Sequence, residues 1–278
     1  MVSPIQSFRW IYGSSDCAAS TDPPLQSFQF DRNTFIIRQS KCQNFEAPFM
    51  YLLIGAKRAL LLDSGAQPRP HQSCPIQETV SDILHQWQSA NDRPELEIIV
   101  AHSHSHDDHT AGDYQFKGRP NTTVVPPVLD EVKAFFDWSE WPNGSSTLDL
   151  GGRSLVVFPI PGHELSHIAV YDFATQVLLT GDTLYPGLLT VQDWKAYRAS
   201  AVRLAKFAKD HPVSLVLGAH IEMKSEPRQM YELGTTFQPD EHGLPLTAAH
   251  IEEWQNACRA MGAHPHRDVH DDFIIEPS

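Results

Sequence analysis

Residues Ile98–Gly112 read IIVAHSHSHDDHTAG. A four-residue apolar run, Ile98–Ala101, leads straight into four histidines and two aspartates with only two serines among them. Such a run reads as a buried strand, and the residues after it as side chains delivered to that strand's end. Alternate residues of an extended chain point the same way. His104 and His106 can therefore grip one cation together, while Asp108 and His109 can face a second as the chain turns. Neutral imidazole and carboxylate suit zinc or another borderline divalent metal. With 15 histidines in 278 residues, chance alone would give H-x-H-x-D-H roughly three times per thousand chains of this composition.

Outward from this stretch, the chain alternates strand-like and helix-like patterns. TFIIRQ (34–39), FMYLLIG (49–55) and RALLLDSG (58–65) read as strands. Val80, Ile83, Leu84 and Trp87 recur at helical spacing. NTTVVPP reads as a short strand and VLDEVKAFFDW as a helix. RSLVVFPIPGH and HIAVYDFATQVLLTGD read as strands joined by tight turns. Trp194–Asp210 predicts a helix, VSLVLGAH a strand, and LTAAHIEEWQNACRAM a last helix. Strands that end in D, H or GD in both halves predict an α/β fold with a site along one sheet edge. Met1 to about Arg32, rich in Ser, Pro and Asp, reads as an arm with little structure of its own. Residues 33–278 then form one domain with a C-terminal helical extension.

The bulk properties exclude several classes. Composition is 41% hydrophobic and 20% charged, enough to bury a proper core. No apolar run approaches the ~20 residues of a membrane span, and the first residues lack a secretory pattern. A formal charge of −13 with no basic cluster disfavours nucleic acid. Cys17, Cys42, Cys74 and Cys258 lie far apart with no C-x-x-C pair, which reads as four free thiols in a reducing cytoplasm. The expected partner is a small-molecule substrate, without membrane or nucleic acid; an oligomer is compatible with the sequence.

The motif His104-x-His106-x-Asp108-His109 resembles the signature of the metallo-β-lactamase superfamily. Four further motifs follow its order: LLLDSG with Asp63, PIPGHELSH with His163, LLTGDTLY with Asp182 and LVLGAH with His220. The resemblance covers about Phe49–His220. It implies a four-layer αββα sandwich with metals at one edge. It also implies that His104, His106 and His163 hold one metal, that Asp108, His109 and His220 hold the other, and that Asp182 bridges them. Asp63 would sit behind the ligands and fix their loop by hydrogen bonds. The cofactors would be two zinc ions, with iron or manganese as alternatives. A metal-bridging hydroxide would attack a small ester, lactone or thioester, Asp108 serving the reaction as a ligand. Tyr185, three residues after Asp182, matches a tyrosine that assists the substrate carbonyl in some lactonases of the superfamily.

The same comparison narrows the branch. Asp182 separates this chain from the true zinc β-lactamases, and His106 from the flavodiiron proteins, which carry glutamate there. GDTL resembles glyoxalase II, but YPGLLTVQDW stands where its Gly-Cys-Gly segment is expected. Two alternatives remain: a mononuclear iron persulfide dioxygenase using His104, His163 and Asp182, and a catalytically silent binding protein. His102 continues the histidine alternation but reads as packed behind the site. HPHRDVHDD (264–272) mimics a ligand run without a leading strand and reads as a solvated tail. Trp138 and Trp141 read either as a cleft wall or as anchoring aromatics.

Overall fold

The computed structural model describes residues 4–93 and 95–278. Its first sheet is built from β1 (Leu25–Asp31), β2 (Thr34–Gln39), β3 (Phe49–Ile54), β4 (Arg58–Leu62), β5 (Glu97–Ala101) and β6 (Thr122–Val124), in that order. Helix α1 (Ile76–Asn91) connects β4 to β5, which run parallel. A one-turn helix, α2 (Asp107–Thr110), follows β5, and α3 (Leu129–Phe135) follows β6. The second half contributes β7 (Ser146–Asp149), β8 (Ser154–Pro159), β9 (Ile168–Asp172) and β10 (Val177–Gly181). It continues through β11 (Leu188–Val191), α4 (Trp194–Asp210), β12 (Leu215–Gly218), β13 (Pro245–Leu246) and α5 (Ala248–Met261), and ends with β14 (Asp268–Val269) and β15 (Ile274–Pro277). The second sheet has the order β13-β12-β10-β9-β8-β7, and β11-β15-β14 form a small third sheet.

Strand periodicity builds the layers. Phe49, Tyr51 and Leu53 of β3 point into the core between the sheets. Met50, Leu52 and Ile54 point the other way, onto Ile76, Val80 and Leu84 of α1. In the second sheet Val170, Leu179 and Leu217 face the first sheet. Tyr171, Leu178 and Val216 face Tyr197 and Leu204 of α4 and Trp254 of α5. Strands buried on both faces need covering on both, and the result is an αββα sandwich.

Three expectations require correction. The proposed arm is not bare: Leu25–Asp31 pairs antiparallel with β2, and Ile5 and Trp10 are buried in the inter-sheet core. The signal was weak because β1 is a Gln/Ser-rich edge strand with only alternate residues half-buried. Met1–Ser3 of that arm lie outside the described residues. Cys17 and Cys42 form a disulfide, and only Cys74 and Cys258 are free, both buried and pushed up to about 12 by burial. Sequence spacing hid the pairing, because the fold brings the N-terminal segment back against the turn after β2. Finally, residues 264–272 are not simply solvated. His264 and His266 are exposed, but Asp268–Val269 pairs with β15, tied down by the buried run Phe273–Ile275. Among the described residues, no helix is long and apolar enough to cross a membrane.

Candidate metal centre

The chemistry-bearing residues lie just beyond the C-terminal ends of five strands. Asp63 follows β4, His102–His109 follow β5, His163 follows β8, Asp182 follows β10 and His220 follows β12. β4 runs parallel to β5, and β10 to β12. β8 shares their direction because β9 is antiparallel to both β8 and β10. One edge of the sandwich therefore collects all five segments, while strand interiors stay apolar.

Two donor groups form there. In the first, Nε2 of His104 lies 2.8 Å from Nδ1 of His106, which is 3.1 Å from Nε2 of His163. In the second, Oδ2 of Asp108 lies 3.2 Å from Nε2 of both His109 and His220. Asp182 stands between the groups. Its Oδ2 faces His104 at 3.9 Å and His163 at 3.7 Å, and its Oδ1 faces His109 at 3.5 Å and His220 at 3.4 Å. Within each group, Asp182 being counted in the second, the donor atoms lie within 4.8 Å of one another.

Every imidazole is held by one nitrogen and aims the other at its group. His104 Nδ1 meets Ser103 Oγ at 3.1 Å, and His109 Nδ1 meets Asp63 Oδ2 at 3.0 Å. His163 Nδ1 meets the Thr190 carbonyl at 2.8 Å, and His220 Nδ1 the Glu46 carbonyl at 2.9 Å. His106 uses Nε2 instead, 3.2 Å from Gln192 Nε2. Contacts behind a ligand fix its tautomer and its ring orientation. Asp63 also accepts the Ser103 N–H at 2.7 Å and the Ser103 hydroxyl at 3.0 Å, so one carboxylate pins the whole loop. It does so from a left-handed backbone, φ 71°, which aspartate tolerates better than most residues.

The electrostatics suit cations. Burial, reinforced by the His109 side chain, lowers His104 well below the ordinary histidine value, and burial lowers His163 as well. Burial alone would raise Asp108 and Asp182, but His109 and His220 outweigh it and hold both carboxyls well below the usual range. Burial would likewise lower His109 and His220, yet the facing carboxylates outweigh it and raise both. Asp182 Oδ1 is buried without a hydrogen-bond partner. His106 Nδ1 stands 2.8 Å from His104 Nε2 and 3.1 Å from His163 Nε2, close to the roughly 3.3 Å that separates nitrogen ligands around tetrahedral zinc. The residues fit a metal pair.

His102 belongs to neither group. Its Nε2 lies 2.8 Å from Asp113 Oδ1 and its Nδ1 lies 3.1 Å from the Val125 carbonyl, while Asp113 also accepts the Ser64 hydroxyl. Trp138 is 5% exposed in the inter-sheet core with Trp141 packed on it, so both anchor rather than wall a cleft. Tyr185 is buried, its hydroxyl 2.8 Å from the Leu188 carbonyl and 3.0 Å from Glu222 Oε2. The phenol is therefore occupied rather than free. Sequence reasoning passed over His167, four residues after His163 in the same quoted motif, and over Ser103. The carbonyls of Glu46 and Thr190 carry no sequence signal, since any residue offers one.

Fold and site together define an αββα protein that gathers two groups of potential metal donors at one edge. The profile of the Metallo-beta-lactamase superfamily matches residues 44–220, and the chain belongs to that superfamily. A hydroxyacylglutathione hydrolase of Aeromonas hydrophila is 31% identical over 154 residues, 54% of this chain and 56% of that one. Another, from Pseudomonas savastanoi, is 28% identical over 172 residues, 59% of this chain and 60% of that one. The acyl-coenzyme A thioesterase MBLAC2 of Homo sapiens is 25% identical over 176 residues, 53% of this chain and 61% of that protein. The matched stretches thus span 56–61% of the length of these curated relatives. In three dimensions it resembles a metallo-beta-lactamase from Pontibacter korlensis (TM-score 0.53, 15% identity, 84% of this chain and 99% of that one). The DIM-1 metallo-beta-lactamase is similar (TM-score 0.55, 16% identity, 86% and 99%). These likenesses show the fold.

Proposed function

We propose that this protein is a two-metal hydrolase of a small ester, lactone or thioester, with two zinc ions as its native cofactors. The carrying observation is Asp182, whose two carboxylate oxygens face separate groups of imidazoles. His104, His106 and His163 would hold one ion, Asp108, His109 and His220 the other, and Asp182 both. When bound, such ions supply a Lewis acid for the substrate carbonyl and a nucleophilic water at neutral pH. The chain's own part is to hold the donors still: Asp63 and Ser103 brace His104 and His109, and backbone carbonyls brace His163 and His220. No serine or cysteine nucleophile is needed. Tyr185 is assigned to holding the start of β11 through Leu188 and Glu222; a donor role requires its hydroxyl to exchange Leu188 for substrate.

The hydrolase names of the relatives support the reaction class, and thioesters head the substrate panel for that reason. The persulfide dioxygenase alternative needs only His104, His163 and Asp182; the complete Asp108–His109–His220 group supports the two-metal reading instead. Metal analysis of purified protein, followed by hydrolysis assays on thioesters, lactones and esters, tests the proposal. Two zinc equivalents with turnover of one class supports it; a single iron, or no metal after zinc addition, overturns it. The Cys17–Cys42 bond favours an oxidising compartment over the cytoplasm expected from free thiols. Alkylation of native protein, counting blocked thiols by mass, decides that point.

A further inference from the structure

His167 lies in none of the donor groups, yet it is fully buried against both halves of the site. Its ring stacks on His104, centroids 4.7 Å apart and planes 7° apart. Its Nε2 accepts the backbone N–H of Asp182 at 3.2 Å. An accepting Nε2 places the ring proton on Nδ1. That Nδ1 is buried and has no hydrogen-bond partner. Leaving a buried N–H unpaired is unfavourable. A phenyl ring in the same place would stack on His104 without that cost. What a phenyl cannot do is accept the Asp182 amide proton.

The residue before Asp182 is shaped to the same contact. Gly181 has φ 49°, and a Cβ there would stand 2.8 Å from Cε1 of His167 and 2.7 Å from Cβ of Ser103. The chain thus gives up a side chain to let the imidazole reach the amide.

From this geometry we infer that His167 is a positioning residue: its Nε2 anchors the backbone of Asp182, and its face sets His104, so that the Asp182 carboxylate straddles the two donor groups. The inference rests on the two-metal reading for its consequence, but the anchor itself is a property of the metal-free chain.

The test compares wild type, His167→Phe, which keeps a stacking ring, and His167→Gln, whose Oε1 falls near the position of Nε2. In metal-free, nitrogen-15-labelled protein, the His167 Nε2 resonance should be that of an unprotonated nitrogen, and the Asp182 amide should be protected from hydrogen exchange. Protection should be lost in the Phe variant and restored in the Gln variant. After loading with Mn(II), the wild type should show a spin-coupled pair by electron paramagnetic resonance. The Phe variant should lose the coupling and bind metal about 10- to 100-fold more weakly, with Gln recovering the coupling. A protonated Nε2, or unchanged amide protection and coupling in the Phe variant, overturns the inference. Wild type that binds no metal pair but shows the amide pattern overturns the two-metal reading and leaves the anchor standing.

Discussion

Asp63 Oδ2 stands 3.0 Å from Nδ1 of His109, while Oδ1 of the same carboxylate accepts the Ser103 N–H at 2.7 Å. One buried acid at the end of β4 thus fixes both the imidazole and the backbone of the neighbouring strand's loop. Asp63→Ala should weaken metal binding by about 10- to 100-fold, the usual cost of losing a group behind a ligand. Chelator competition would measure it. Retention of full affinity would show that the loop is pinned without Asp63.

His102 and His109 should separate cleanly. His109→Ala and Asp108→Ala each remove a donor from the second group, worth several kcal/mol of catalysis, or about a thousandfold in kcat. His102→Leu removes the Asp113 contact and should cost about 1–3 kcal/mol of stability instead. Paired kinetics and urea unfolding distinguish the two. Equal kinetic losses at all three positions would shift the ligand register by one step.

Arg153 and Asp172 form a buried pair, 2.7 Å apart, in which Arg153 also donates to Asn33 O and Thr34 Oγ1. Burial would raise the Asp172 carboxyl, but the guanidinium outweighs it and holds the carboxyl below its ordinary value. A lowered carboxyl contributes stability above the ordinary aspartate value, and that contribution is lost as pH falls through the folded-state value. Arg153→Met leaves the buried Asp172 carboxylate without its counter-charge, with only Ala174 and Thr175 donating to it, and should cost about 3 kcal/mol by denaturant unfolding at pH 7. Its stability should fall less steeply than wild type on acidification from pH 5.

Lys41, 1% exposed in the turn after β2, is lowered to about 8 by burial and then by Arg38, with nearby glutamates offsetting part of the effect. Between that value and the ordinary 10.5, the unfolded chain binds a proton that the folded chain does not. Stability from this group therefore rises with pH across that window, by up to about 3 kcal/mol. Lys41→Met should be most favourable relative to wild type near pH 7 and lose that advantage by pH 10.5. Urea midpoints at both pH values check this; a pH-independent difference would mean that Lys41 is solvated.

Tyr185→Phe removes the hydroxyl held by Leu188 and Glu222 and should cost about 1 kcal/mol of stability. kcat on the best substrate should be retained. A loss near a hundredfold would mean that the hydroxyl reaches the developing oxyanion after all.

Much of this architecture was legible in the chain. Apolar runs that stop at Asp63, His102, Asp182 and His220 reveal buried strands feeding one edge, because a strand buried on both faces can place polar groups only at its ends. The H-x-H-x-D-H spacing exposes the donors because local geometry alone lets neighbouring side chains share an ion. Contacts made across sequence were not legible. The Cys17–Cys42 bond, the Glu46 carbonyl behind His220 and the His167 contact with Asp182 depend on segments meeting only after the two sheets stack. Residue types fix which atoms are able to bind; packing of the layers decides which carbonyl, ring or amide stands behind each one, since a hydrogen bond requires proximity that composition does not encode.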